Sequence, residues 1–428
     1  MLSYKLYTQQ GFTCMHRFSN ALTTSFLFAF TLLASNASSS EVIQVGPSRH
    51  LKTPSAAARI AKNGATIEID AGLYSGDVAT WTSNNLTIKG VGGRAHIDAH
   101  GKNAQGKGIW VIQGANTTIE NVEFSGATVP DQNGAAIRLE GPGLTVTNCY
   151  FHDNENGILT GANPKSDIVI EYSEFARNGY GDGQTHNMYI GKVRTFTLQY
   201  SYSHEAKIGH LVKSRALTNY ILYNRLTDET GTASYEIDLP NGGRSYIIGN
   251  LIQQSPNTDN ETIISYAEEG ASNPLQELYV VNNTIVNDYP GGTFVHVGGV
   301  PTASRLVNNF FVGAGTVVTG PATQTSNLAT LNPRLVNQAR YDYHLAAGSP
   351  AINKGTRPGE AAGYDLTPRH EYVHPMLDGT RTVVGSAIDV GAYEYGNVGT
   401  PPPDESLPLS PTEPKPATEP KPKGDLPR

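Results

Sequence analysis

Ionisable side chains concentrate in three neighbouring segments of this chain. The segments are GDGQTHNMYIG at 181–191, SHEAKIGHLVKSRA at 203–216 and ASYEIDLPNGG at 233–243. Together they supply histidine and lysine, which can take up protons, tyrosine, which can donate one, and arginine, which pairs with carboxylates. This concentration predicts a functional site.

The spacing of these residues indicates stacked strands. Tyr189 and Lys213 are 24 residues apart, Lys213 and Asp238 are 25 apart, and His186 and His210 are again 24 apart. Because alternate side chains of a strand share one face, the apolar parity is expected to point inward and the other parity outward. The predicted outward set is Asn187, Tyr189, Leu211, Lys213, Arg215, Glu236 and Asp238.

A short phrase repeats along the chain and supports the same period. TVTNCYF, ILYNRLT, YIIGNLIQ, YVVNNTIV and RLVNNFFV each lead an apolar run to an Asn, at positions 148, 224, 250, 283 and 309. Tyr172 and Tyr200 take the Asn place in two weaker copies. A period of about 25 residues, with short strands and no helical periodicity, excludes Rossmann and TIM folds and disfavours a propeller. It predicts an all-β solenoid of about ten coils over residues 42–320, with Asn ladders at one corner.

Both ends of the solenoid are predicted to be covered. Thr53, Pro54 and Ser55, followed by AAARIAK and Gly64, are typical of an N-cap, a first-turn proline, a short helix and a C′ glycine. We expect this helix to cap the first coil, and the stretch from YDYHLAAGSPAINKG to AIDVGAYEYG to close the other end.

The sequence divides into three parts. Residues 1–40 are predicted to be an export signal, with basic His16 and Arg17, an apolar run over 21–34 and cleavage near Ala37; Met15 is an alternative start. Residues 41–396 are predicted to form the β-helix domain with its caps. Residues 397–428 contain TEPKPA and TEPKPK, which indicate a Pro-rich tail without a core.

Composition excludes several classes of protein. The net charge of -7, from 31 basic and 38 acidic residues, argues against nucleic acid as a partner. The apolar run at 21–34 is shorter than the ~20 residues that span a bilayer. With Cys14 in the predicted signal, Cys149 is alone and no disulfide is expected. The mature protein is therefore expected to be a secreted or periplasmic monomer.

These features resemble the right-handed parallel β-helix proteins of the pectate-lyase-like superfamily, over most of residues 42–396. Lys213 and Ser214, followed by NRLTDETG, resemble polysaccharide lyase family 6, the chondroitinase B and alginate lyase group. In that group the Lys is the base and an Arg of an Arg-His-Gly triplet on the next coil is its partner. Here the next coil has Glu236 to Pro240 instead, so Arg215 is the expected substitute.

The resemblance implies a lyase that cleaves an acidic, uronate-containing polysaccharide by β-elimination. Such a reaction needs neutralisation of the C6 carboxylate, a base for the C5 proton and an acid for the leaving oxygen. Arg215 suits the first role, Lys213 or His210 the second, and Tyr189 or His186 the third. The expected substrate-binding residues are Glu236, Asp238, Asn187 and His204. No cofactor is identified, and a Ca²⁺ requirement stays open.

Two other functions fit the same residues. Glu236 and Asp238, two residues apart on one strand face, match the carboxylate separation of inverting glycosidases. A non-catalytic, glycan-binding solenoid is the third interpretation. The sugar, the endo or exo mode and the role of the tail do not follow from the sequence.

Overall fold

The computed structural model describes residues 41–397. The predicted export signal and all but the first residue of the predicted tail lie outside this range. Within it, the regular structure is almost entirely β-strand, and the α-helix is the five-residue segment Pro54–Ala58. None of the helical structure described is long and apolar enough to cross a bilayer.

Each coil of the solenoid contributes up to three short strands, which lie on three faces. A strand pairs in parallel with the strand on the same face of the next coil. Two long strands of the first coils, Thr66–Ser75 and Thr87–Asp98, bend from the first face to the second, with a register shift between Asp70 and Gly72. The predicted solenoid is therefore confirmed, including the absence of crossover helices from the described residues.

The strands of the first face alternate between inward apolar residues and residues that face outward. Ile168 and Ile170 are buried, whereas their neighbours Asp167 and Val169 are partly exposed. In addition to the first parts of the two long strands, this face contains Val42–Val45, Thr117–Glu120, Leu144–Thr147, Asn163–Glu171, Val193–Gln199, Thr218–Leu222, Arg244–Ile248, Glu277–Val281, Ala303–Val307 and Thr323–Thr325.

The second face contributes an aromatic stack to the core. The rings of Phe124, Phe151 and Phe175 lie parallel in successive coils, with centroids 5.2 and 4.7 Å apart. In addition to the second parts of the long strands, this face contains Val122–Ser125, Tyr150–His152, Glu174–Ala176, Tyr202–His204, Arg225–Thr227, Leu251–Gln254, Thr284–Asn287, Phe310–Gly313 and Leu328–Thr330.

The third face is a sheet of ten strands, one for each coil. This count confirms the prediction of about ten coils. The strands are Ala79–Trp81, Gly108–Ile112, Ala135–Leu139, Asn156–Thr160, Met188–Ile190, Val212–Ser214, Ile237–Leu239, Thr262–Tyr266, Thr293–Val297 and Thr316–Thr319.

A buried side-chain ladder runs along the corner between the first and second faces. The Nδ2 of Asn224 donates to Oδ1 of Asn250 at 3.0 Å, and Asn250 repeats the contact with Asn283 at 2.9 Å. The same Oδ1 atoms accept the backbone N–H of the preceding coil, at 2.9 Å for both Asn224 and Asn250. The ladder continues through Asn309 to Asn327. The predicted corner ladder is thus confirmed for Asn224, Asn250, Asn283 and Asn309.

The prediction that Asn148 belongs to this ladder is wrong by one residue. Asn148 has a φ of 52°, and its side chain contacts Asn121 at the surface. Tyr172 and Tyr200 have the same left-handed conformation, and the ladder position follows each of them. The corner has two consecutive positions that both suit Asn, one left-handed and one buried, so sequence similarity alone does not separate them.

The N-terminal helix begins after Thr53, whose hydroxyl accepts a hydrogen bond from the backbone N–H of Ala56 at 3.4 Å. The helix ends at Ala58, earlier than the predicted end near Gly64. Pro54 and Ala57 are buried, and the helix packs against the first three strands of the chain.

The C-terminal segment differs in position from the prediction. It contains three short hairpins, and its Tyr343, Tyr372 and Tyr393 pack in one cluster with Leu251 and Phe310 of the second face. Those two residues point outward from their strands, so the segment covers an apolar side of the solenoid instead of only its end. The paired strands are Leu335–Asn337 with Asp342–Leu345, Glu360–Ala361 with Tyr364–Asp365, and His370–Val373 with Leu377–Thr380; a 3-10 helix spans Gln338–Arg340.

We expect Asn250→Ala to lower the free energy of unfolding by about 3 kcal/mol, because it removes the side-chain partner of the buried backbone N–H of Asn224 and of the carbonyl of Ile221 in the preceding coil. Asn332→Ala changes an exposed Asn outside the ladder and should alter stability by less than about 0.5 kcal/mol. Chemical denaturation followed by circular dichroism measures both. Equal, small effects would show that the ladder does not stabilise the solenoid.

Candidate functional site

The predicted ladder of Tyr189, Lys213 and Asp238 is present on the third face. Lys213 pairs in register with Tyr189 on one side and with Asp238 on the other. The predicted inward residues are all fully buried, namely Met188, Ile190, Val212, Ser214, Ile237 and Leu239. The outward parity of Lys213 is therefore confirmed.

Lys213 lies between two carboxylates. Its Nζ is 3.1 Å from Oδ2 of Asp238 and 3.5 Å from Oε1 of Glu269. The Asp238 side chain is 5% exposed and that of Lys213 12%, whereas Glu269 is 49% exposed. Asp238 thus contacts the ammonium group of Lys213 on its buried side, and Glu269 contacts it on the solvent side.

Arg215 uses its whole guanidinium group. Its Nε donates to the hydroxyl of Tyr189 at 2.8 Å, Nη1 to Oδ1 of Asn241 at 2.6 Å, and Nη2 to Oε2 of Glu269 at 2.6 Å. One carboxylate, that of Glu269, therefore bridges Arg215 and Lys213. The ring centroid of Tyr189 is 5.6 Å from Cζ of Arg215 and 5.7 Å from Nζ of Lys213.

A groove of about 590 Å³ opens beside Arg215 and Tyr189 and extends toward the N-terminal coils. Three cationic residues, Arg138, Lys192 and Arg215, line it together with Asp131 and Asp182. Arg138 and Tyr189 each pair in register with Leu159, so the groove follows the third face across successive coils. Its cations suit a ligand that carries carboxylates.

His186 and His210 lie beneath this surface. Their rings stack with centroids 4.3 Å apart, and the residues are 2% and 6% exposed. Nδ1 of His186 accepts the backbone N–H of His210 at 3.0 Å, and Nδ1 of His210 accepts that of Tyr235 at 3.4 Å. Burial, with the charges of Lys213 and Arg215, lowers the pKa of His186 to about 3. Burial also lowers the pKa of His210, with His186 and Lys213 adding to the effect.

Three residues predicted to face outward are instead buried. Asn187, Leu211 and Glu236 are all 0% exposed. The strands begin one residue later, at Met188, Val212 and Ile237, so the two-residue alternation does not extend to the preceding turn. Asn187 and Glu236, both predicted to bind substrate, therefore do not reach the groove.

The two buried polar residues have different environments. The amide of Asn187 donates to Oγ of Ser203 at 3.0 Å and to the carbonyl of His204 at 2.9 Å. Neither oxygen of Glu236 has a hydrogen-bond partner among residues 41–397. Burial raises the pKa of Glu236 well above its ordinary value, and Asp228 adds to the shift. The carboxyl pair expected for a hydrolase thus does not open onto one face.

His204 belongs to the second face and not to this site. Its ring nitrogens are 3.3 Å from Glu174 and 2.9 Å from Glu205, and its ring stacks on Tyr202. Its coil turns onto another face between His204 and His210, so the structure separates His204 from Lys213 and Arg215.

Sequence reasoning missed Asn241 and Glu269. Both follow third-face strands, Ile237–Leu239 and Thr262–Tyr266, in the two coils that come after that of Arg215. Ser265 pairs in register with Asp238, so extending the period of about 25 residues by one coil would have indicated the acidic turn at Glu268 and Glu269.

Burial raises the pKa of Asp238, although Lys213 acts in the opposite direction. Burial opposes ionisation of Glu269 as well, but the hydrogen bond from Arg215 and the charge of Lys213 outweigh it and lower the pKa of Glu269. Glu269 is thus held as a carboxylate at the two cations. Among residues 41–397, no three carboxylates lie close enough to share one metal ion.

Comparison with known proteins identifies the architecture. Residues 71–252 match the family model described as the right handed beta helix region. The fold is a right-handed parallel β-helix. A solved structure, pectate lyase Pel9A, is similar over 83% of this chain and 96% of its own, with 15% sequence identity and a TM-score of 0.51. The β-helix prediction from the repeats is confirmed, and at this identity the similarity concerns the fold.

A second solved structure is similar with a lower TM-score. The alginate lyase AlyGC, of the PL6 family, matches over 88% of this chain and 59% of its own, with 13% identity and a TM-score of 0.35. No curated protein matches the chain.

Glu236→Gln tests whether this carboxyl is a buried, protonated core group. A group whose pKa is raised on folding stabilises the protein below its unfolded pKa of about 4.3 and loses that contribution as pH rises toward the folded value. We therefore expect the stability of the variant relative to wild type to increase by at least about 1 kcal/mol between pH of about 4.5 and 8.

Denaturation at both pH values measures this difference, and Glu360→Gln, at an exposed residue, provides the control. A pH-independent difference would contradict a buried acid, and a large loss of activity with an intact fold would place Glu236 in the chemistry.

Proposed function

We propose that this protein is a secreted polysaccharide lyase that cleaves a uronate-containing polysaccharide by β-elimination. The proposal includes export by residues 1–40 and action as a monomer. The lyase assignment depends on the third face of the solenoid, on the groove there and on the two cations beside it.

One observation carries the proposal: a carboxylate already bridges Arg215 and Lys213. The half-exposed Glu269 places one oxygen 2.6 Å from Nη2 of Arg215 and the other 3.5 Å from Nζ of Lys213. A substrate uronate has the same group and can replace Glu269 at both cations. Neutralising that carboxylate is the electrostatic requirement of β-elimination, because it acidifies the adjacent C5 proton.

Arg215 is the carboxylate clamp in this proposal. Tyr189 and Asn241 hold its Nε and Nη1 at 2.8 and 2.6 Å, so the group is oriented before substrate binds. With Nε and Nη1 held in this way, Nη2 faces the position that Glu269 leaves and can donate to the substrate carboxylate there.

Lys213 is the proposed base, and Asp238 its proton acceptor. A base must first release a proton, and Oδ2 of Asp238 is 3.1 Å from Nζ. Because burial raises the pKa of Asp238, the transfer costs less free energy than it would with an exposed aspartate. The amine can then take the C5 proton of a uronate held at Arg215.

Tyr189 is the proposed acid for the leaving oxygen. It lines the groove, and its hydroxyl is 2.8 Å from the guanidinium that binds the uronate. In this proposal His186 and His210 transfer no proton, because both are buried and their Nδ1 atoms accept backbone hydrogen bonds. They support the floor on which Tyr189 and Lys213 lie.

The function is tested with a panel of uronate polysaccharides, such as pectate and alginate, and neutral polysaccharides. We expect ultraviolet-absorbing unsaturated products from an acidic polymer, with Arg215→Ala and Lys213→Ala lowering kcat/KM by on the order of 100-fold or more. Arg194→Ala, which alters an exposed arginine paired with Asp167 on the first face, should leave activity unchanged. Reducing ends without that absorbance would indicate hydrolysis, and neither signal would indicate a binding protein.

Stability needs a separate control in this experiment. Lys213→Ala leaves Asp238 without its ion-pair partner in a buried position, which costs on the order of 3 kcal/mol. The double variant Lys213→Ala with Asp238→Asn removes that unpaired charge and should recover stability without recovering activity. If it recovers both, Lys213 is only a structural partner of Asp238.

Glu269→Gln should lower KM for the acidic polymer several-fold, with a smaller change in kcat, because the substrate carboxylate no longer competes with Glu269. The neighbouring Glu268 pairs with His296 at 2.7 Å and not with Arg215, so Glu268→Gln is the matched control. Steady-state kinetics at low and high salt measure the effect, which should shrink as salt screens the charges. An unchanged or higher KM would contradict the competition.

A further inference from the structure

Two histidines and a glutamate meet on the second face, away from the groove. His96 lies in Thr87–Asp98, Glu123 in Val122–Ser125, and His152 ends Tyr150–His152. His96 pairs in register with Glu123, and Glu123 with Tyr150. Since alternate residues share a face, His152 points outward like Tyr150 and lies diagonally from Glu123. Three successive coils thus bring one ligand each to one place.

The distances in this cluster fit a small cation. Nδ1 of His96 is 3.4 Å from Oε1 of Glu123, and Nε2 of His152 is 3.2 Å from the same oxygen. The three ligand atoms lie within 4.8 Å of one another. Ligands of a tetrahedral zinc ion, at 2.0–2.1 Å from the metal, are separated by about 3.3 Å. Small side-chain adjustments therefore bring all three to coordination distance.

The outer nitrogen of each histidine has its own partner. Nε2 of His96 is 2.7 Å from the hydroxyl of Ser125, and Nδ1 of His152 is 2.9 Å from the carboxylate of Asp153. These contacts direct Nδ1 of His96 and Nε2 of His152 toward Glu123. Hydrogen-bonded outer nitrogens of this kind set the tautomer and orientation of metal-binding histidines.

The exposure of the three side chains is also suitable. The side chains are 29%, 18% and 16% exposed for His96, Glu123 and His152, so an ion can enter from solvent and keep an open position.

We propose that His96, Glu123 and His152 form a binding site for a zinc-class divalent cation, with an open coordination position for water or an anionic ligand. Two imidazole nitrogens favour Zn²⁺, Co²⁺ or Ni²⁺ over Ca²⁺ and Mg²⁺, which require oxygen ligands. The site lies on the second face, whereas Lys213 and Arg215 lie on the third. It therefore does not depend on the proposed lyase activity.

The test uses the full chain without a histidine tag, freed of metal by a chelator, and titrates it with ZnCl₂ by calorimetry. We expect one equivalent to bind, and excess Ca²⁺ or Mg²⁺ not to compete. Co²⁺ should produce the intense visible absorption of a tetrahedral nitrogen and oxygen site. His152→Ala should abolish both signals, while His296→Gln, which changes a third-face histidine paired with a single glutamate, should retain them.

Ser125→Ala provides a second variant that keeps all three ligands. Loss of the hydrogen bond at Nε2 of His96 should weaken zinc binding about 10-fold, with an unchanged circular dichroism spectrum and melting curve. The proposal is overturned if the wild-type protein binds no stoichiometric zinc. It is also overturned if His152→Ala binds as tightly as wild type.

Discussion

The register between coils depends on hydrogen bonds that pass from each turn to a side chain of the next coil. At the corner between the first and second faces, the amide oxygens of Asn250 and Asn283 accept both the backbone N–H and the side-chain amide of the preceding coil. A shift by one residue would bury these groups without partners, at a cost of about 1–3 kcal/mol each. The ladder therefore holds coils of different length in one alignment.

That alignment assembles the charged site. Tyr189, Lys213 and Asp238 are distant in sequence but adjacent on the third face, because every intervening turn returns the chain to the same register. The turns after these strands then differ in length and add Asn241 and Glu269 around Arg215. Regular strands position the cations, and irregular turns determine what surrounds them. This division is common where a rigid scaffold carries functional loops.

The C-terminal segment gives the faces different roles. It packs on outward apolar residues such as Leu251 and Phe310 of the second face, and its Ala361 and Leu366 join the tyrosine cluster that includes Tyr246 of the first. Its docking also uses specific hydrogen bonds, such as those from Asn282 to the carbonyls of Asp389 and Gly391. The groove is lined by residues 131–215, outside this segment. The later coils are thus stabilised from the side while the cations of the third face stay accessible.

The sequence by itself determined the solenoid, its period, the coil count and the inward or outward direction of strand residues such as Lys213. These depend on local patterns that repeat, and each repeat adds evidence for the others. It did not determine the exposure of residues next to the strands, because alternation ends where a turn begins; Glu236 and Asn187 are buried for this reason. Only the tertiary structure brought Glu269 to Arg215, and His96 to Glu123 and His152, since those contacts depend on how the coils stack and on the path of each turn. The repeat period can be read from the order of residues along the chain, whereas a site depends on distances between residues of different coils, which only the folded structure sets.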